Sequence, residues 1–138
     1  MRIAILAVVV LVLAPSAVAQ APPALTTAPS SYGKVLYDGR GFVLYGFTRD
    51  RGRSACYGAC AKAWPPYFAP KSLRVGAGVR RTLLGTVRRK DGRRQVTYAG
   101  RPLYYYVGDT RPRQILCQDV VEYGGRWLVV RPTGKLVR

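Results

Sequence analysis

One motif occurs twice in this chain, and the repetition limits what it can fold into. Leu44-Tyr45-Gly46-Phe47-Thr48-Arg49-Asp50 and Leu103-Tyr104-Tyr105-Tyr106-Val107-Gly108-Asp109 share the form L-Y-x-[FY]-x-x-D, 59 residues apart. A turn precedes each copy, Asp38-Gly39-Arg40 before the first and Ala99-Gly100-Arg101 before the second, and a Trp follows each, Trp64 and Trp127. A unit of this size cannot bury an apolar face alone, so the two copies are expected to pack against each other as one domain.

Around the motifs the residue types favour strands. Lys34 to Tyr37 and Phe42 to Phe47 are β-branched, aromatic and aliphatic, and they flank Asp38-Gly39-Arg40-Gly41, a hairpin signal. Leu83 to Val87 and Arg94 to Tyr98 flank a second Asp-Gly turn, Lys90-Asp91-Gly92-Arg93, and Ala99 to Pro102 leads into Leu103 to Val107 as a meander. Gly124-Gly125 introduces Arg126 to Val130, and Pro132-Thr133-Gly134-Lys135 turns the chain before Leu136-Val137. Only Ser54 to Trp64 reads as helical, with Ser54 as N-cap and Pro65-Pro66 as the stop. The expected fold is mainly β: a small antiparallel sheet or meander in one domain, residues 32–138, built from related units at about 32–70 and 83–138, with one short helix near 54–64.

At the start, Met1-Arg2 precedes an apolar run from Ile3 to Ala14 and then Pro15-Ser16-Ala17-Val18-Ala19. That is the pattern of a signal peptide over residues 1–19, cleaved near Ala19. Such a run falls short of the about 20 apolar residues that cross a bilayer. The mature chain is therefore expected to have no transmembrane segment and to be secreted or periplasmic, in a bacterial envelope. Gln20 to Ser31 carries three Pro and no charge, and reads as a flexible linker.

An ordered set of residues carries a family likeness. It comprises Tyr45, Phe47 and Asp50; Ser54-Ala55-Cys56-Tyr57-Gly58-Ala59-Cys60 with Trp64-Pro65-Pro66; Asp91 to Tyr104 with Tyr106 and Asp109; and Gly124-Gly125-Arg126-Trp127. In these the chain resembles a family of secreted bacterial repeat proteins and predicted lipoproteins of unknown function, marked by a tandem Y-x-[FWY]-x-x-D motif. The resemblance implies an envelope or extracellular location and a β-rich repeat, and it brings no activity. The chain departs from the family pattern in three places. No Cys before Cys56 could take a lipid, Cys117 stands in a stretch that is usually Gly-rich, and Gly46 replaces an aromatic.

The chain has no His. That excludes Ser-His-Asp and Cys-His catalysis, His-ligated haem, and the usual zinc and type 1 copper sites. No catalytic residue, metal ligand or cofactor is assigned, and the chain reads as a non-enzyme. In strands Tyr45 and Phe47 share a face, as do Tyr104 and Tyr106, with Asp50 and Asp109 where each strand ends. The aspartates are read as turn residues that accept backbone N–H groups or meet an Arg or a Tyr hydroxyl. The other use is a carboxylate pair working as acid and base or holding a cation.

Cys56 and Cys60, spaced i, i+4, are the disulfide candidate, the alternative being a thiol-disulfide redox or copper-handling pair. Cys117 is expected as an unpaired buried thiol, with a bond to Cys56 or Cys60, or to a second chain, as the other outcomes. Trp64 is read as a core plug, against an exposed platform beside Tyr67 and Phe68 for a sugar or peptide.

Charge completes the sequence reading. There are 23 Lys+Arg against 6 Asp+Glu, a formal net charge of +17, and from Arg74 to Arg94 eight basic residues face one acid, Asp91. Basic residues protect strand edges. They also bind anions, and the excess of Arg over Lys favours bidentate contact with phosphate or carboxylate. Arg88, Arg89, Lys90, Arg93 and Arg94 are the candidate anion contact. Export disfavours nucleic acid as partner, leaving lipopolysaccharide phosphates, teichoic or phospholipid headgroups, or an acidic protein. The functional expectation is an exported, non-catalytic binding or structural module with a basic surface for an anionic envelope component.

Overall fold

Adjacent apolar residues such as Val35-Leu36-Tyr37 and Val43-Leu44-Tyr45 force strands whose two faces are both covered. A computed structural model describes Ala14 and residues 16–138. Residues 1–13 and Pro15, which carry most of the signal-peptide reading, lie outside the described residues. The strands are β1 (Leu25–Ser30), β2 (Gly33–Asp38), β3 (Tyr45–Phe47), β4 (Leu84–Arg88), β5 (Arg94–Tyr98), β6 (Arg101–Pro102), β7 (Val120–Glu122) and β8 (Gly125–Val129). Among the described residues one α-helix, α1 (Ala59–Ala63), and one 3-10 turn (Arg81–Leu83) complete the elements. The fold is mainly β, in small antiparallel sheets ordered β1-β2, β3-β8-β7 and β4-β5-β6.

The strand register interlocks the two repeats. β3, from the first repeat, pairs with β8 of the second, Tyr45 opposite Val129 and Phe47 opposite Trp127. The matching partners in the other direction are Tyr104 and Pro66, with Tyr67 N–H donating to Leu103 O and Tyr105 N–H to Pro65 O. The last strand of each repeat thus completes the other repeat. The two motif strands meet at their equivalent tyrosines, since Tyr45 and Tyr104 each donate N–H to the other's carbonyl. A pseudo-twofold axis therefore runs between them.

Because the strands are covered on both faces, the alternating side chains fill two cores. Val35, Tyr37, Val43, Tyr45, Phe47, Trp64, Tyr104, Trp127 and Val129 occupy one. The residues between them, Leu36, Leu44, Val96, Leu103 and Val130, occupy the other, together with Leu25, Tyr67 and Tyr98.

Two expectations are corrected. The segment read as a linker contains β1, paired residue by residue with β2 from Leu25–Asp38 to Ser30–Gly33. Its other edge is also held: Ala24 N–H donates to Arg74 O, Thr27 N–H to Ala77 O, and Gly76 N–H to Leu25 O. Fully buried Leu25 anchors it in the second core, so burial overrides a composition that offers no periodic face.

The helix is shorter than Ser54 to Trp64. Asp50 Oδ1 accepts Ala55 N–H at 2.8 Å, and Gly58 adopts φ 57°, ψ −127°. Both hold residues 54–58 as a loop, so Gly58 rather than Ser54 is the N-cap. At the other end Pro65 and Pro66 stop the helix as expected.

Candidate functional site

The two motif copies brace each other. Tyr45 Oη donates to Asp109 Oδ2 at 2.7 Å, and Tyr104 Oη donates to Asp50 Oδ2 at 2.9 Å. Each aspartate uses its second oxygen on a backbone N–H beyond its own strand, Asp50 on Ala55 and Asp109 on Leu116 at 2.9 Å. A hydrogen bond to a charged group contributes about 1.5–3 kcal/mol net, and losing one partner leaves a buried polar group stranded. Burial pushes the Asp50 carboxyl up to about 6 and raises Asp109 as well, against the bonds that favour their charged forms. Burial, with Asp109, also drives the Tyr45 hydroxyl far above its ordinary range, and burial with Asp50 does the same to Tyr104. These phenols keep their protons and donate. Asp50 and Asp109 thus each serve the opposite repeat's tyrosine.

The motif aromatics close around the tryptophans. Trp64 and Trp127 stack at 4.1 Å and 5°, Phe47 stacks on Trp127 at 4.0 Å, and Tyr106 lies over Trp64 at 4.8 Å. Tyr45 meets Trp64 edge-on and Tyr104 meets Trp127 likewise. Each such pair adds about 0.5–1.5 kcal/mol beyond its buried area. Trp64 is fully buried, so it is a core residue and not an exposed platform. Cys56 and Cys60 form a disulfide. It ties the loop to the start of α1, and both sulfurs belong to the buried aromatic core. Cys117 is free and only partly buried beside this core, with its thiol raised by burial.

The five basic candidates separate. Arg88, Lys90, Arg93 and Arg94 are exposed on the β4–β5 hairpin, whereas Arg89 turns inward and is 5 % exposed. Arg89 Nη1 donates to Ser54 Oγ and Gln95 Oε1, both at 2.8 Å, and Nη2 donates to Cys56 O at 2.7 Å. Its Nε–H is the one buried side-chain donor without an acceptor among the described residues. Ser54 Oγ in turn lies 2.7 Å from Tyr104 Oη, so a hydrogen-bonded line runs from Arg89 through Ser54 and Tyr104 to Asp50. Arg89 is thus a buried charge joined to the motif, set below the four exposed candidates.

Above Arg89 lies a cleft of about 420 Å³ lined by Arg53, Ser54, Tyr57, Val87, Arg88, Arg89 and Lys90. Tyr57 organises one wall: its ring faces Arg89 at 4.3 Å and Lys90 at 5.2 Å, and its hydroxyl accepts Lys90 N–H. A second cleft, which shares Tyr57 and Arg89 with the first, is lined by Phe68, Asp91 and Arg93 among others, with the Arg93 guanidinium over the Phe68 ring. Arg53 was not singled out in the sequence, and Tyr57 entered only within the stretch that carries the family likeness. The run Arg49-Asp50-Arg51-Gly52-Arg53, as basic as the hairpin turn, was the signal for Arg53.

The sequence reading also missed Asp38. It accepts from Arg40 N–H, Phe42 N–H, Arg40 Nε and Tyr105 Oη, and so ties the first hairpin turn to the second motif. Among the described residues no three His, Cys, Asp or Glu side chains gather where a metal could sit.

A family model described as a secreted repeat of unknown function matches the chain over residues 26–67 and 85–131. No curated protein matches it, and no solved structure does.

Proposed function

The chain belongs to the family of secreted repeats of unknown function, and on that premise we propose that it is a non-catalytic envelope module that holds an anionic partner on the β4–β5 hairpin. The observation that carries this reading is the state of the charges there. Arg88, Lys90, Arg93 and Arg94 are exposed, and the ion pairs among the described residues, Arg40–Asp38 and Arg126–Asp119, involve none of them. Four like charges against the single acid Asp91 on one hairpin repel, and an anion relieves that repulsion. The partner classes reachable after export are lipopolysaccharide phosphates, phospholipid headgroups or an acidic protein. Cleavage near Ala19 releases the mature chain to the periplasm or beyond, an oxidising space consistent with the Cys56–Cys60 bond. The burial of both sulfurs supports a structural bridge over exchange or copper chemistry.

Cosedimentation of the mature protein with vesicles tests the reading. It should bind vesicles rich in anionic headgroups and ignore zwitterionic ones. Binding should fall steeply between about 0.1 and 1 M salt, as the screening length shrinks from about 10 to 3 Å. Retention that ignores ionic strength, or no binding to the anionic vesicles, overturns it.

A further inference from the structure

We propose that the cleft between the Arg53–Tyr57 loop and the β4–β5 turn is a seat for a phosphoryl group. This rests on the anion-binding reading above and gives that surface a specific pocket and ligand chemistry. Cations reach the cleft from two separate places in the chain, Arg53 from the loop after the first motif and Arg88, Arg89 and Lys90 from the end of β4. No carboxylate lines it.

The floor of the cleft is the independent sign of a ligand. Arg89 is a buried guanidinium whose three hydrogen bonds all go to neutral acceptors, and whose Nε–H has none. A buried charge without a counter-ion is costly and is normally paired. Asp50, the carboxylate that feels Arg89 electrostatically, is already engaged by Tyr104 and Ala55 and stands behind Ser54. Arg89 lines the cleft, so an anion seated there would bring the counter-charge that its neutral partners do not supply.

Geometry and charge favour phosphoryl over carboxylate. A single guanidinium satisfies a planar carboxylate by its two-pronged edge, whereas a phosphate monoester presents three oxygens and up to two negative charges to donors from several directions. Here the donors come from two separate stretches of the chain. Tyr57 holds Arg89 and Lys90 in place beforehand, which lowers the ordering cost of binding. Arg53 and Arg88 are exposed at the rim and form no ion pair among the described residues.

The test titrates the mature protein with inorganic phosphate and with acetate by calorimetry, and measures its partition onto vesicles containing phosphatidic acid or phosphatidylserine in a phosphatidylcholine background. Arg53→Gln with Arg88→Gln removes two rim charges. Arg80→Gln with Arg81→Gln removes the same charge from exposed residues outside the cleft, and near-UV circular dichroism checks that both variants fold. Phosphate should bind more tightly than acetate. The rim pair should weaken phosphate and phosphatidic acid binding about tenfold or more, and the control pair less than about threefold, since only a close bidentate contact exceeds general screening.

Displacement of the protein from phosphatidic acid vesicles by phosphate identifies a lipid headgroup as an occupant. Rim-dependent phosphate binding without displacement identifies free phosphate instead. Equal losses in the two variants, or acetate binding as tightly as phosphate, overturns the seat while salt-sensitive vesicle binding still supports the broader reading. Failure to bind any anionic vesicle, with no phosphate binding in the calorimeter, overturns both.

Discussion

Asp50 and Asp109 each serve a tyrosine of the other repeat, and this sets how single residues should respond to pH. Asp50 has a carboxyl pushed up to about 6, chiefly by burial, against the usual value near 4 in an unfolded chain. A raised carboxyl favours the protonated folded state. The stabilisation is complete below about pH 4 and is lost as pH climbs through about 6. Thermal melts should therefore show the native protein gaining stability relative to Asp50→Asn as pH falls from about 7.5 to 5. Melting curves that stay parallel over that range would contradict the assignment. The sequence spacing placed Asp50 and Asp109 at strand ends, where they meet a Tyr hydroxyl and a backbone N–H. Which tyrosine each meets could not be read, because the partner follows from the axis between Tyr45 and Tyr104. Arg89 is a parallel case: in sequence it resembles Arg88 and Lys90, and only the register that sets Arg88 opposite Arg94 turns its neighbour toward Gln95.

At the level of elements, the Asp-Gly turn at 90–93 and the strands on either side of it were legible, because turn chemistry and alternation agree there. β1 was not, since its Pro and Thr residues resemble a linker. Yet the 59-residue offset of the motif extends back to it: Leu25 and Thr27 fall opposite Leu84 and Thr86, making the β1–β2 and β4–β5 hairpins counterparts. Hydrogen exchange on the mature protein checks this. Amides bonded in β1, Thr27 among them, should be protected to nearly the level of β5, because both strands are bonded on two edges. Exchange at the rate of a free chain would restore the linker reading. The repeats have also diverged. A Cβ on Gly46 would come within 2.7 Å of the Leu136 side chain, which would have to shift, while its counterpart Tyr105 reaches Asp38.

The whole molecule is one unit because each repeat is incomplete without the other. β3 needs β8, and the second motif strand needs Pro65 to Tyr67. That the copies would pack together followed from their small size; that their strands would be exchanged did not, since sequence carries no signal for which of two equivalent partners a strand selects. Separate fragments covering residues 16–78 and 79–138 should each give the poorly dispersed amide spectrum of an unfolded chain, and mixing them should restore the native pattern. A dispersed spectrum from either fragment alone would refute this interdependence.

The exchange also constrains the order of events when such a chain is delivered across a membrane. Tyr45 to Phe47 emerge early, but their backbone partners at Trp127 to Val129 are almost the last residues through. Closure therefore waits for the far end, and contacts this distant in sequence form slowly. The early half is therefore without its partner strand until the far end arrives.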